Sequence, residues 1–195
     1  MQLLAINPGW IRKISYCLLF ISVGCLLSVN QATALPSPSY VQEELSTNQF
    51  MGSGKFRWFG LAIYDAALWA KNPASLQQGF ALRLTYARNL DGEKIADSSA
   101  EEIERLGFGT PTQRQEWQKR MQSLFPNVKA GDRITGINLA GQATRFYFNG
   151  RELGTIADPA FTQAFFAIWL DPRTRAPNLR AALLGQTVNG AASTP

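Results

Sequence analysis

Apolar positions along this chain follow two periods, and the change from one to the other divides it into runs of strands and runs of helices. From Phe80 to Leu90 the pattern alternates: Phe80, Leu82, Leu84 and Tyr86 fall on one face and Arg83, Thr85 and Ala87 on the other, as in a half-buried strand. Lys55 to Trp69 is dense in aromatic and aliphatic residues. Gly60 marks a bulge or bend there, which gives one long strand or two successive ones. Residues 133–139, 143–149 and 151–156 read as three short strands joined at Ala140-Gly141 and Asn149-Gly150. Asn-Gly between apolar runs is a strong hairpin signal, so the three predict an antiparallel meander.

The helical period appears between and after these strands. Ser98-Ser99-Ala100-Glu101-Glu102 holds overlapping capping boxes and predicts a helix that starts there and stops near Gly107. Thr110-Pro111-Thr112-Gln113 predicts a second start. Trp117, Met121, Leu124 and Phe125 then recur at core-facing spacing until Pro126. Asp158-Pro159 caps a third helix with Phe161, Phe165, Ile168 and Trp169 on one face, ended by Asp171-Pro172. A short last helix runs from about Pro177 to Leu184 and closes at Gly185. Segregated runs of strands and helices predict an α+β fold with helices packed on one face of an antiparallel sheet.

The ends read differently. Arg12 and Lys13 precede an apolar run from Ile14 to Val29, and Ala32-Thr33-Ala34 is a small-residue cleavage site. Residues 1–34 therefore read as a signal peptide, with the mature chain beginning at Leu35. That implies export to the periplasm or outside, with no membrane anchor once the leader is cleaved. Residues 35–46, with Pro36 and Pro38, read as a flexible arm. Residues 47–185 form one domain, and 186–195 read as a flexible tail.

Composition then removes chemistry. Among 195 residues there is no His, and the two Cys, Cys17 and Cys25, both lie in the leader. Triads with an imidazole base, His-containing metal sites and disulfides are all excluded from the mature chain, so its stability rests on core burial. The net charge is +5, but it is interspersed and forms no basic arm or stripe, which argues against nucleic acid as a partner. Gly52-Ser53-Gly54 lacks the third glycine and following helix of a dinucleotide site. No cofactor or metal is expected. Glu101, Glu102 and Glu104 crowd the predicted helix start, where the macrodipole accounts for them, and Asp132 reads as a turn residue.

Polar groups embedded in apolar strands are the better candidates. An Arg beside a Tyr hydroxyl can hold a carboxylate or enolate oxygen in an apolar cleft. Arg83 and Tyr86 are three apart and so lie on opposite faces. Arg57 and Tyr64, seven apart, share that difficulty unless a bulge at Gly60 shifts the register.

The ordered set of Gly52-x-Gly54, Arg57-Trp58, Ile63-Tyr64-Asp65-Ala66-Ala67-Leu68-Trp69, Gly131-Asp132-Arg133-Ile134-Thr135, Phe146-Tyr147-Phe148-Asn149-Gly150, Ile168-Trp169-Leu170-Asp171-Pro172-Arg173-Thr174 and Leu179-Arg180-Ala181-Ala182-Leu183-Leu184-Gly185 resembles the exported bacterial branch of the chalcone isomerase-like family. The resemblance covers nearly all of residues 50–185. It implies an open-faced β-sandwich, a large antiparallel sheet with helices on one side. Enzymes of that family close a chalcone to a flavanone. Relatives without that activity bind fatty acids, with an Arg and a Tyr on the carboxylate. By that resemblance Tyr64 and Arg57 are the ligand-binding candidates. Ile95 and Glu102 stand near the places of the enzyme's further polar partners, and its later Thr has no evident counterpart around Ala167 to Trp169. The expected function is a non-catalytic binder of a small apolar acid such as a fatty acid. The alternatives are an intramolecular lyase of chalcone isomerase type and a structural or partner-binding domain without ligand.

Overall fold

A computed structural model describes residues 35–186 apart from Thr47 and Asn72. The leader read at 1–34, with both cysteines and the cleavage site, lies outside the described residues, as does the tail beyond Gln186.

Six strands form one antiparallel sheet in which spatial order equals chain order: β1 (Gln49–Trp58), β2 (Leu61–Ala70), β3 (Phe80–Tyr86), β4 (Arg133–Leu139), β5 (Ala143–Phe148) and β6 (Arg151–Ile156). The α-helices are α1 (Ser39–Glu44), α2 (Gly92–Arg105), α3 (Pro111–Leu124), α4 (Pro159–Leu170) and α5 (Pro177–Leu183). This is the expected α+β class, and the meander and its turns fall where the sequence places them. Asn149-Gly150 adopts positive φ at both residues (50° and 89°), as a tight two-residue hairpin requires.

The main core lies between the sheet and α2–α5. The alternating residues of β3, Phe80, Leu82, Leu84 and Tyr86, enter it, and they meet Trp117 and Met121 of α3 and Phe161, Phe165 and Trp169 of α4. The helix start expected at Thr110-Pro111 is present, and Thr110 and Gln113 form a capping box on α3. Asp158 caps α4 by accepting from Ala160 and Phe161 N–H, while its second oxygen accepts from Trp117 Nε1 at 2.8 Å, so one carboxylate joins α3 to α4.

The structure departs from the sequence-based expectation in three places. The first concerns α2, which begins at Gly92, six residues before the capping boxes at Ser98. The Gly92 N–H is satisfied from outside the helix, by Asn127 Oδ1 at 2.9 Å, and Ser99 bonds back to the Ile95 carbonyl instead of capping. Second, and as a consequence, Glu101, Glu102 and Glu104 occupy the end of α2, where the macrodipole opposes them. Arginines offset this: Arg105 and Arg175 on Glu102, and Arg114 on Glu104.

The third correction is the stretch 35–46, read as a flexible arm. It carries α1, which packs on the opposite face of the sheet. Val41 is completely buried there, in a second cluster with Ala67, Trp69, Ala81, Ile137 and Tyr147. Tyr40 stacks on Tyr147 and its hydroxyl bonds to Thr135 Oγ1 at 2.9 Å, while Glu44 pairs with Arg145. Local sequence hid this helix because Pro36 and Pro38 precede it and no side chain caps it. Its order comes from tertiary contacts.

Gly52 and Gly54 also gain a structural reason. They lie inside β1 where α5 crosses, and a Cβ on Gly52 would stand 2.0 Å from the Ala182 carbonyl oxygen. The motif is a seat for a helix, in keeping with its failure to match a phosphate loop.

Candidate functional site

A cavity of about 500 Å³ opens between the sheet and α2 and α4, at the end of the sheet near the β1–β2 hairpin. That volume lies within the usual range for small-molecule sites. Its floor comes from Phe56 and Trp58 of β1, Ile63 and Tyr64 of β2, and Leu84 and Tyr86 of β3. Its wall comes from Ile95, Ser98 and Glu102 of α2, from Phe165, Ile168 and Trp169 of α4, and from Thr174, Arg175 and Ala176 of the α4–α5 connection.

Local register explains which side chains reach it. The chain reverses at Phe59-Gly60, so cross-strand pairing, rather than spacing along one strand, decides which residues share a face. Phe56 pairs with Tyr64, and their rings stack with centroids 5.0 Å apart. Arg57, next along β1, therefore points away. The register does shift, but between Phe56 and Arg57, where Ile63 is the extra residue opposite. That bulge brings Ile63 and Tyr64 together into the cavity lining instead of turning Arg57 inward. The structure thus places Tyr64 in the cavity and leaves Arg57 exposed, donating to the Gly60 carbonyl at 3.2 Å. It does not bring the two together. Arg83 and Tyr86 separate as expected: Tyr86 lines the cavity, and Arg83 lies over the Trp69 ring on the other face.

Tyr64 pairs in register with Tyr86, and the rings meet edge to face at 6.1 Å. Trp169 Nε1 donates to Tyr64 Oη at 3.0 Å. Burial pushes both phenols well above their usual range. For Tyr64 the indole hydrogen bond works against that rise, and Glu102 adds to it. Both hydroxyls are therefore protonated at neutral pH and available as donors.

Charge gathers at the solvent side. Lys94 is exposed and pairs with Asp91. Glu102 has a side chain only 12% exposed and is held by the Arg105 guanidinium and by Arg175 Nε at 3.1 Å. The result is an apolar chamber with two interior phenols and a rim of mixed charge, on which Lys94 and Arg175 stand with Glu101 and Glu102. The described residues contain no group of three or more potential metal ligands.

Tyr64, Tyr86, Ile95, Glu101 and Glu102 are all named from the sequence, and all five line this cavity. Lys94, Trp169 and Arg175 were not assigned to it. Trp169 was legible only as a core residue, and nothing local marks Arg175, which reaches the rim through the path of the chain after α4.

A large antiparallel sheet with α2–α5 gathered on one face and a cavity between them defines the open-faced sandwich class. The chain belongs to the chalcone isomerase-like family, whose model matches residues 36–185. It is 29% identical over 141 residues to an uncharacterized protein of Haemophilus influenzae, a match covering 71% of this chain and 69% of that one. Among solved structures it resembles a fatty-acid binding protein of Arabidopsis thaliana. That likeness has a TM-score of 0.55 at 12% identity and covers 71% of this chain and 87% of that chain, so what it shows is the shared fold.

Proposed function

We propose that this protein is a non-catalytic binder of a small apolar acid, a fatty acid being the type case, and that it works in the periplasm or outside the cell after cleavage near Ala34. The observation that carries the reading is the cavity: an apolar interior sized for a small ligand, with Lys94 and Arg175 at its solvent side. The acyl chain occupies the interior against Phe56, Leu84 and Phe165. The carboxylate stays at the rim, where its desolvation cost is small and where Lys94 and Arg175 would exchange part of their pairing with Asp91 and Glu102 for it. The fatty-acid binding relative of the same fold supports this choice of ligand.

Binding is favoured over isomerisation by the state of the polar groups. The tyrosines are held protonated, Glu102 is committed to two guanidiniums, and the remaining carboxylate, Glu101, is exposed at the rim, away from the interior phenols.

The test begins with native mass spectrometry of the protein isolated from its own cells, followed by denaturing extraction; a co-purifying apolar acid is the expected result. Titration with a long-chain fatty acid and its methyl ester then probes the charge contact, and equal affinity for the two would refute it. Arg57→Ala and Arg175→Ala in the same titration decide which guanidinium faces the acid. The cavity lining favours Arg175.

A further inference from the structure

Four large hydrophobic residues are exposed among the described residues, and three of them sit together at the tip of the β1–β2 hairpin: Trp58 at 47%, Phe59 at 91% and Leu61 at 56%. We propose that this tip docks on a lipid bilayer. Phe59, Leu61 and the outer part of Trp58 enter the boundary between headgroups and acyl chains, so that the cavity mouth opens against the membrane.

Four observations carry this. First, Phe59 occupies the leading position of a two-residue hairpin with φ of 46°, a conformation costly for a bulky side chain. The corresponding position of the β5–β6 hairpin holds Asn149 at φ 50°, a residue suited to it. The β1–β2 turn thus keeps an aromatic residue in a strained conformation, projecting into solvent. Second, the tip is continuous with the cavity: Trp58 lines the chamber, while its ring meets Phe59 at 5.1 Å outside. Third, the adjacent Arg57 is exposed, braces the turn through the Gly60 carbonyl and has no acidic partner among the described residues, which suits an anionic headgroup layer. Fourth, the patch is too small for the alternative occupants. A stable protein interface takes about 800 Å² from each partner, whereas three side chains at one hairpin end suit insertion to about 5–10 Å depth.

Docking itself stands on the hairpin alone. That it passes an apolar acid between bilayer and cavity rests on the function proposed above.

The test compares the wild-type protein with the double variant Phe59→Asn, Leu61→Ser. Neither residue lines the cavity, and Asn suits the turn. Both proteins are isolated from the same cells, with the same N-terminus verified by intact mass. Cosedimentation with phosphatidylglycerol–phosphatidylethanolamine vesicles is expected to fall about tenfold or more in the variant, from the apolar surface removed. Affinity for a fluorescent long-chain fatty acid should stay unchanged. Vesicle binding that is absent in the wild type, or equal in both proteins, would overturn docking. A wild-type dimer in sedimentation velocity that the variant abolishes, with vesicle binding unaltered, would also overturn it and make the tip a contact between copies. Hairpin-dependent vesicle binding without fatty-acid binding in either protein would uphold docking and remove the proposed ligand.

Discussion

Trp169 Nε1 donates a 3.0 Å hydrogen bond to Tyr64 Oη, joining α4 to β2 through the interior wall of the cavity. Both residues belong to or pack against the main core, so the bond is shielded from water. Tyr64→Phe keeps the ring stacked on Phe56 but strands the indole N–H. The expected cost is about 1–3 kcal/mol, read from urea denaturation. Trp169→Phe in the Tyr64→Phe background should cost less than the sum of the two single changes, because the orphaned donor is then gone.

Glu102 places a negative charge beside the site proposed for an anionic ligand. Glu102→Gln removes it and releases Arg175 from its ion pair. Affinity for a long-chain fatty acid should tighten by about fivefold, roughly 1 kcal/mol, while affinity for the methyl ester should change little. Isothermal titration of both ligands reads the difference.

Gly52 lies under α5 with no room for a side chain. Gly52→Ala sets a methyl group against the Ala182 carbonyl, and neither is on a flexible side chain that could move aside. The expected loss is about 1–3 kcal/mol in chemical denaturation. Ser53→Ala, one residue along on the exposed side of β1, should stay within about 0.5 kcal/mol of the wild type.

Acid sensitivity should centre on carboxylates that hold structure. Arg173 hydrogen bonds lower the Asp171 carboxyl to about 2. For Asp158 burial acts upward, but hydrogen bonds from Trp117, Phe161 and Ala160 outweigh it, and the net shift is down. A depressed native value means that the unfolded chain binds more protons. Stability is therefore full above about pH 4 and falls as pH drops towards about 2. Asp158→Asn keeps a capping acceptor but removes the titration. Its urea midpoint should lie below that of the wild type at neutral pH, and the two should converge in acid.

Elements set by local chemistry were legible in advance. Thr110-Pro111 and Asp158-Pro159 start their helices, Asn149-Gly150 turns its hairpin, and strand alternation put Tyr86 in the core and Arg83 on the other face. What escaped depends on distant partners. The start of α2 needs Asn127, from beyond α3, and α1 needs the second face of the sheet to pack on. The site divided along the same line. Tyr64 was legible because it is polar within an apolar strand, but its pairing with Arg57 required the hairpin register. That register sets Phe56, and not Arg57, opposite Tyr64.

The sheet's order, in which each strand pairs with its neighbour in the chain, has a kinetic side. Four of the five pairings join strands separated by short connections, and loop closure costs little for them. The β3–β4 pairing must close over α2 and α3, which makes it the costliest of the five strand pairings to close. Since α2 is also a wall of the cavity, completing the sheet and enclosing the chamber draw on the same segment. Slowing that closure, by weakening the α2–α3 packing, would leave both hairpin blocks formed and the chamber open.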